Sequence, residues 1–375
     1  MAGIYLHIPF CRKACTYCDF HFSTQMDTYS LVMEAMVTEL VSRADELKGQ
    51  VVDTIYFGGG TPSMIAEVDL HKLVDTMYAN YSLSADVEFT FEVNPEDVSN
   101  VSLAVWKKAG INRLSMGVQS FREEDLLFMN RNHGGGQSES SILKAQDVGF
   151  ENITIDLIYG VPTSSRQQWI DNVDKAFSLG IPHLSSYALT VEEKTVLAHR
   201  IKTKKIKPLD EEEAHQQFLI LTQMATQRGF EHYEISNLAK PGFRAVHNSQ
   251  YWQGVPYLGI GPSAHSYNGN SRRWNRANNV LYSREVLSKG IYWDGEQLSE
   301  ANRFNEVVMT RLRLIEGLPK SVIEDSFSSK FMAHLESEII QEVQNGRILD
   351  TKTHWVIADQ YRFSADGIAS NLFYL

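Results

Sequence analysis

Cys11, Cys15 and Cys18 lie within one short stretch, "YLHIPFCRKACTYCDFHF", and no other cysteine occurs in the 375 residues. Thiolates are soft ligands that select zinc or iron–sulfur clusters. A structural zinc site needs four ligands in a closed tetrahedron, and His7, Asp19 and His21 are near enough in sequence to complete a set. Inert buried thiols are the plainest alternative, although they seldom repeat at Cx3Cx2C spacing. A [4Fe–4S] cube has four irons, and electron carriers usually give each a cysteine. Three cysteines leave one iron open to chelate a small molecule, which is a defect in a carrier and an asset in a catalyst. An odd number of thiols cannot all pair inside one chain. The expected compartment is therefore the cytoplasm, where thiols stay reduced.

Such a loop needs a rigid support. Short β-rich runs occur at 3–8, 52–57, 87–93, 112–118, 152–160 and 183–190. Helical patterns fall near 27–48, 67–80, 98–109, 121–149, 165–180 and 210–229, the fourth broken at "HGGG". This alternation predicts a parallel α/β sheet. Most of the strands read as continuous apolar runs, covered by helices on one side and packed on the other. In a parallel barrel the working residues sit where strands end and loops begin. The unusual polar residues fall at those places. The cysteine loop follows strand one, "GGGTP" (58–62) follows strand two, Glu92 ends strand three, Gln119 ends strand four, and Asp156 precedes "YGVP" in strand five. Five strand ends meeting on one face predict a partial (β/α)6 barrel of TIM type rather than a doubly wound sheet.

Past residue 235 the rhythm changes. The stretch 236–298 is rich in Gly, Pro, Asn and aromatics and reads as irregular structure with short strands. From 299 to 375 three helical patterns precede a hairpin pattern, as in a small, mostly helical winged-helix-like domain. The predicted organisation is thus a barrel over 1–235, a connecting region over 236–298 and a packing or partner domain over 299–375. With 43% apolar residues a sizeable core is available without cysteine staples. A formal charge of −11 argues against a nucleic-acid partner, and the basic run "RIKTKKIKP" (200–208) reads as a solvated connector. No apolar stretch approaches a membrane span, and the apolar N-terminus lacks the basic region of a signal peptide.

Cx3Cx2C after a first barrel strand, with "GGGTP" after the second, resembles the radical S-adenosylmethionine (SAM) superfamily over about residues 1–235. Further, "YLHIPFC", "GGGTPS", "FEVNPE", "GVQSF", "RNH" and "DLIYGVP" look like the branch that holds oxygen-independent coproporphyrinogen III dehydrogenase and its heme-chaperone relatives. The resemblance implies that Cys11, Cys15 and Cys18 hold a [4Fe–4S] cluster whose open iron binds the amino and carboxylate groups of SAM. It implies SAM contacts from Tyr5, Tyr17, Gly59, Gly60, Thr61, Glu92, Gln119, Arg131 and Asp156. Their chemistry agrees. Glycines permit close backbone approach. Glu92 or Asp156 can accept from ribose hydroxyls or the SAM amine, Arg131 can fork onto the carboxylate, and Gln119 offers a donor and an acceptor. The plain alternative for both carboxylates is a salt bridge to a helix.

Dehydrogenases of this branch carry a fourth cysteine two residues after the third, where this chain has Phe20, and a long N-terminal extension, where only ten residues precede Cys11. Both departures resemble the chaperone side. So does "HNSQYW" (247–252), which fits an HNxxYW pattern. It implies His247 as an axial ligand to heme iron and Tyr251 and Trp252 as stacking partners of the porphyrin, with His265 a weaker candidate. The plain alternative is a histidine capping a turn beside two core aromatics. The expected function is heme binding and delivery to apo-hemoproteins, respiratory ones among them. The alternative is radical oxidation of coproporphyrinogen III propionates. A homodimer, and peripheral membrane association through the acceptors, are left open.

Overall fold

The computed structural model describes residues 1–375. Six parallel strands follow in order, each paired with the next: β1 (Ala2–Ile8), β2 (Val52–Gly59), β3 (Leu83–Val93), β4 (Arg113–Gln119), β5 (Asn152–Tyr159) and β6 (His183–Ala188). Between them lie α1 (Tyr29–Ser42), α2 (Glu67–Asn80), α3 (Asn100–Lys108), α4 (Glu123–Phe128), α5 (Gly135–Asp147) and α6 (Arg166–Ser178), and α7 (Val196–Lys202) and α8 (Glu211–Gln227) follow β6. Local chemistry sets several of their ends. Ser99 and Ser165, for instance, close capping boxes with Ser102 and Gln168. Short α7, over the start of the basic run, has no counterpart in the apolar pattern.

The strands are not uniformly apolar. They alternate, and that alternation makes the site. Ile4, Leu6, Ile55, Phe57, Phe89, Phe91, Leu114, Met116, Ile153, Ile155 and Leu184 pack into one large core with the helices. The residues between them, Tyr5, Thr54, Tyr56, Glu88, Thr90, Glu92, Arg113, Ser115, Thr154, Asp156, His183 and Ser185, point the other way, because side chains alternate along a strand. Hydrogen bonds join them across the inside: Tyr56 to Glu92, Arg113 to Thr154, Thr154 to His183. The barrel interior is polar from end to end.

The region 236–298 is more regular than its composition suggests. β7 (Glu231–Glu234) and β8 (Asn237–Ala239) form a hairpin beyond β6, followed by α9 (Val246–Gln253). β9 (Tyr257–Ile260) then pairs parallel with β1, on the side opposite β2. β10 (His265–Tyr267), β11 (Ser271–Asn275) and β12 (Trp293–Gln297) continue the same sheet, with α10 (Asn279–Leu287) packed on α1. The result is one twelve-stranded sheet in which β1 is an interior strand. Strands of three to five residues are too short for periodicity to reveal.

A second hydrophobic core of 15 buried residues, from Phe304 to Leu372, belongs to the C-terminal segment. Its order is α11 (Glu300–Leu312), β13 (Leu318–Pro319), α12 (Lys320–Ser326), α13 (Ser329–Gln344), β14 (Ile348–Asp350), β15 (His354–Ile357) and α14 (Ala365–Ser370), with a sheet ordered β13-β15-β14. This is a winged-helix-like arrangement. It docks on the far end of the barrel: the Ile315 N–H donates to the Tyr233 carbonyl at 3.0 Å, and Arg362 donates to the His232 carbonyl at 2.6 Å. No helix is long and apolar enough to cross a membrane.

Candidate functional site

A cavity of about 630 Å³ opens at the C-terminal ends of the parallel strands. Cys11, Cys15, Cys18, Tyr17, Gly59, Gly60, Thr61, Glu92, Gln119, Arg131 and Asp156 all line it. Tyr5, His247, Tyr251 and Trp252 do not. Tyr5 lies below, its ring against Tyr56 (centroids 6.0 Å apart) and its hydroxyl 3.1 Å from His7 Nδ1.

The cysteine loop is pinned on three sides. Cys11 N–H donates to the Ser23 carbonyl at 3.0 Å, and Thr16 N–H to that of Met129 at 3.1 Å. Leu197 N–H, in the first turn of α7, donates to Thr16 at 2.8 Å, and Asn130 Nδ2 to Ala14 at 2.7 Å. The break between α4 and α5 therefore does two jobs: it holds the loop and delivers Arg131 into the cavity. The Arg131 guanidinium donates to Asn94 Oδ1 at 2.6 Å, to the Gly117 carbonyl at 2.8 Å and toward Cys15 Sγ at 3.4 Å. Thr61 Oγ1 points at Cys11 Sγ at 3.4 Å. Burial pushes the Cys11 and Cys18 thiols up to about 11.

These residues fit a [4Fe–4S] cluster. Three thiols line one wall, two of them facing a hydrogen-bond donor that favours the thiolate. No three Cys, His, Asp or Glu side chains gather round one point as a lone ion requires, whereas a cube offers each thiol its own iron. Phe20, in the place of a fourth cysteine, is 67% exposed.

Opposite the thiols the wall is built for a polar ligand. Gly59 has φ +107°, and a Cβ on Gly60 would meet the Phe10 and Ile8 carbonyl oxygens at 2.7 and 2.8 Å. Only glycine lets the chain pass that close to β1. Gln119 ends β4 in the left-handed region at φ +66°, a strained conformation for a residue with a side chain. Glu92 accepts from Tyr56 at 2.8 Å; burial, with Asp156 adding, pushes its carboxyl up to about 8. Burial likewise raises Asp156 to about 6, opposed by Arg113 and Arg131. Neither carboxylate is spent on a salt bridge to a helix; both remain in the cavity wall. Asn94, which bridges Thr61 and Arg131, went unremarked in the sequence although it sits inside "FEVNPE".

The HNxxYW segment lies elsewhere. It forms α9, seated against the polar interior of the barrel below the cavity. Glu88 of β3 accepts the first two amides of the helix, from Val246 and His247, each at 2.9 Å. His247 is 2% exposed, and both its ring nitrogens are engaged. Thr54 Oγ1 donates its one proton to Gln250 Oε1 at 3.0 Å, so His247 Nδ1–H donates to Thr54 at 2.8 Å. Nε2 is then the acceptor, and it takes the Tyr251 hydroxyl at 3.2 Å. Burial lowers the imidazole pKa to about 3. Trp252 lies under the Arg313 guanidinium, 4.7 Å from its centroid, between barrel and C-terminal domain. His265 is exposed in β10 and stacks on Trp274.

The Radical SAM superfamily model matches residues 5–176. Heme chaperone HemW of Mycobacterium tuberculosis (strain ATCC 25618 / H37Rv) is 34% identical over 325 residues, which cover 84% of this chain and 83% of that protein. Heme chaperone HemW of Bacillus subtilis (strain 168) is 32% identical over 357 residues, 94% of each. Among solved structures, coproporphyrinogen III oxidase (HemN) from Escherichia coli, described as a radical SAM enzyme, matches with a TM-score of 0.83. It covers 99% of this chain and 90% of its own at 23% identity, and so shares the fold. A matched superfamily model, a cavity that gathers all three cysteines, and relatives of one name along nearly the whole length agree: the chain belongs to the radical SAM superfamily and, within it, to the HemW family.

Proposed function

We propose that this protein binds heme and hands it to apo-hemoproteins in the cytoplasm, and that its cluster and SAM site govern the transfer rather than oxidise a porphyrin. The observation that carries this reading is the relationship to proteins named heme chaperones over 84% of the chain or more. Phe20 in place of a fourth cysteine supports it.

When bound, the [4Fe–4S] cluster and SAM supply one-electron chemistry. The chain's own part is to hold and orient them. Cys11, Cys15 and Cys18 hold the cluster. Arg131 is positioned to meet a carboxylate, Glu92 and Asp156 to accept from an ammonium or hydroxyls, and Gly59 and Gly60 to let backbone reach the ligand. Tyr17 lies on the same wall, while Tyr5 supports it through Tyr56.

Heme ligation is assigned to His247. Its Nε2 lone pair is the atom an iron would take, and it is held by the Tyr251 hydroxyl four residues on. Ligation would displace Tyr251 and free its ring for the macrocycle, and Trp252 would have to leave the Arg313 guanidinium to join it. The test is hemin added to the reconstituted protein under anaerobic conditions, beside a coproporphyrinogen III turnover assay. A saturable, sharpened Soret band with no porphyrinogen turnover is expected. His247→Ala should shift or weaken the band, and Trp252→Ala should weaken it without changing the ligand type. Efficient SAM-dependent formation of protoporphyrinogen IX would overturn the reading in favour of the dehydrogenase.

A further inference from the structure

The cavity and the HNxxYW helix are separate sites, yet one side chain of β2 touches both. The Tyr56 hydroxyl donates to Glu92 Oε1 at 2.8 Å, in the cavity wall. Its ring lies against the His247 imidazole, with centroids 5.0 Å apart and planes 30° apart. Neither neighbouring inward residue of β2 does this: Thr54 meets His247 and Gln250 alone, and Gly58 has no side chain. We propose that Tyr56 is a positioning residue that couples the two sites, so that SAM in the cavity weakens heme ligation at His247, and heme weakens SAM.

The coupling rests on the SAM and heme sites proposed above. His247 has two arrangements to choose between. In one its ring is seated on Tyr56, with Thr54 and Tyr251 holding its nitrogens; in the other Nε2 is given to iron and Tyr251 is displaced. A ligand shifts such a balance only as far as it favours one arrangement. Hydroxyls or an ammonium donated to Glu92 favour its charged form, and a charged acceptor binds a hydroxyl more tightly than a neutral one. Tyr56 is then held harder in place, and with it the surface on which His247 is seated. The opposite end of α9 meets the C-terminal domain through Trp252 and Arg313, and Arg311 donates to the Gln253 carbonyl at 2.9 Å. Unseating the helix is therefore felt outside the barrel.

Coupling of this kind is reciprocal: each ligand changes the affinity of the other by the same factor, commonly about fivefold or more. The experiment measures hemin affinity by Soret titration with and without saturating SAM, and SAM affinity by calorimetry with and without hemin, on reconstituted protein. SAM should weaken hemin about fivefold, and hemin should weaken SAM equally. Tyr56→Phe keeps the ring on His247 and loses the hydroxyl to Glu92, so it should bind hemin alone at least as tightly as the wild type and show no shift with SAM. A second measurement needs no heme. His247→Gln should change SAM affinity about fivefold when Tyr56 is present and leave it unchanged in the Tyr56→Phe background. An equal change in both backgrounds, or a hemin shift that survives Tyr56→Phe, would overturn the coupling. Failure of the wild type to bind hemin would overturn the proposed function instead, and the SAM cycle would still decide the role of Tyr56.

Discussion

Glu92 should make the empty protein less stable, and replacing it should show this with a magnitude that depends on pH. Burial raises its carboxyl from the ordinary 4.5 to about 8 in the folded chain. A folded-state pKa above the unfolded one means that the stability contribution is complete below pH 4.5 and is lost as pH rises through 8. Across that window the unfolded chain ionises while the folded chain holds its proton. At 1.36 kcal/mol per unit, the loss reaches about 4 kcal/mol at pH 8 and stays under about 1 kcal/mol at pH 5. Glu92→Gln removes the titration, and its amide oxygen still accepts from Tyr56. Urea unfolding of the cluster-free chain should therefore find the variant several kcal/mol more stable at pH 8 and nearly unchanged at pH 5, while SAM affinity falls. A gain no larger at pH 8 than at pH 5, or a loss at pH 8, would refute the reasoning and place Glu92 in a charge-compensated setting.

Three further outcomes are expected. Replacing Cys11, Cys15 or Cys18 by Ser should remove most of the visible absorption and the reduced-state EPR signal after reconstitution; stoichiometric zinc without sulfide would contradict the cluster. Asp156→Ala or Gln119→Ala should weaken SAM about 10–150-fold, the loss of one hydrogen bond to a charged group, read as a displaced titration of the cluster's EPR response. Gly60→Ala should disturb both cluster loading and SAM binding, because its Cβ would strike backbone oxygens of Phe10 and Ile8; full loading in that variant would show that the turn can yield.

Much of this site was legible because it lies at strand ends, where punctuation is strong. The cysteine spacing, the glycine turn and the order of strands and helices mark its elements along the chain. Other features left little trace. The inward polar set of the strands was hidden because a Thr, Ser or Tyr between aliphatic residues still reads as β-rich. Arg113 and Glu88 look like surface charges until the barrel closes round them; Arg113 is 1% exposed. The seat of α9 was invisible for a different reason: it depends on Glu88 lying 158 residues before the amide of Val246. No local pattern carries that pairing. Tyr56 was missed with it, since its two contacts belong to sites that the sequence presents separately.

The position of β1 has a consequence for how the chain is made. Gly3 needs Tyr257 beside it before β1 has its second neighbour. A ribosome adding about 5–20 residues per second takes roughly 13–50 s to span that interval. Throughout it one edge of the first strand carries unpaired amides and carbonyls beside the cysteine loop, as an exposed strand edge does. Nascent chains arrested before residue 257 should accordingly be cut by protease near the N-terminus, and chains arrested well beyond 260 should resist. The cysteine loop that springs from this strand is held by the carbonyl of Met129 and the amide of Leu197, so it too takes its final place only after most of the barrel has been made.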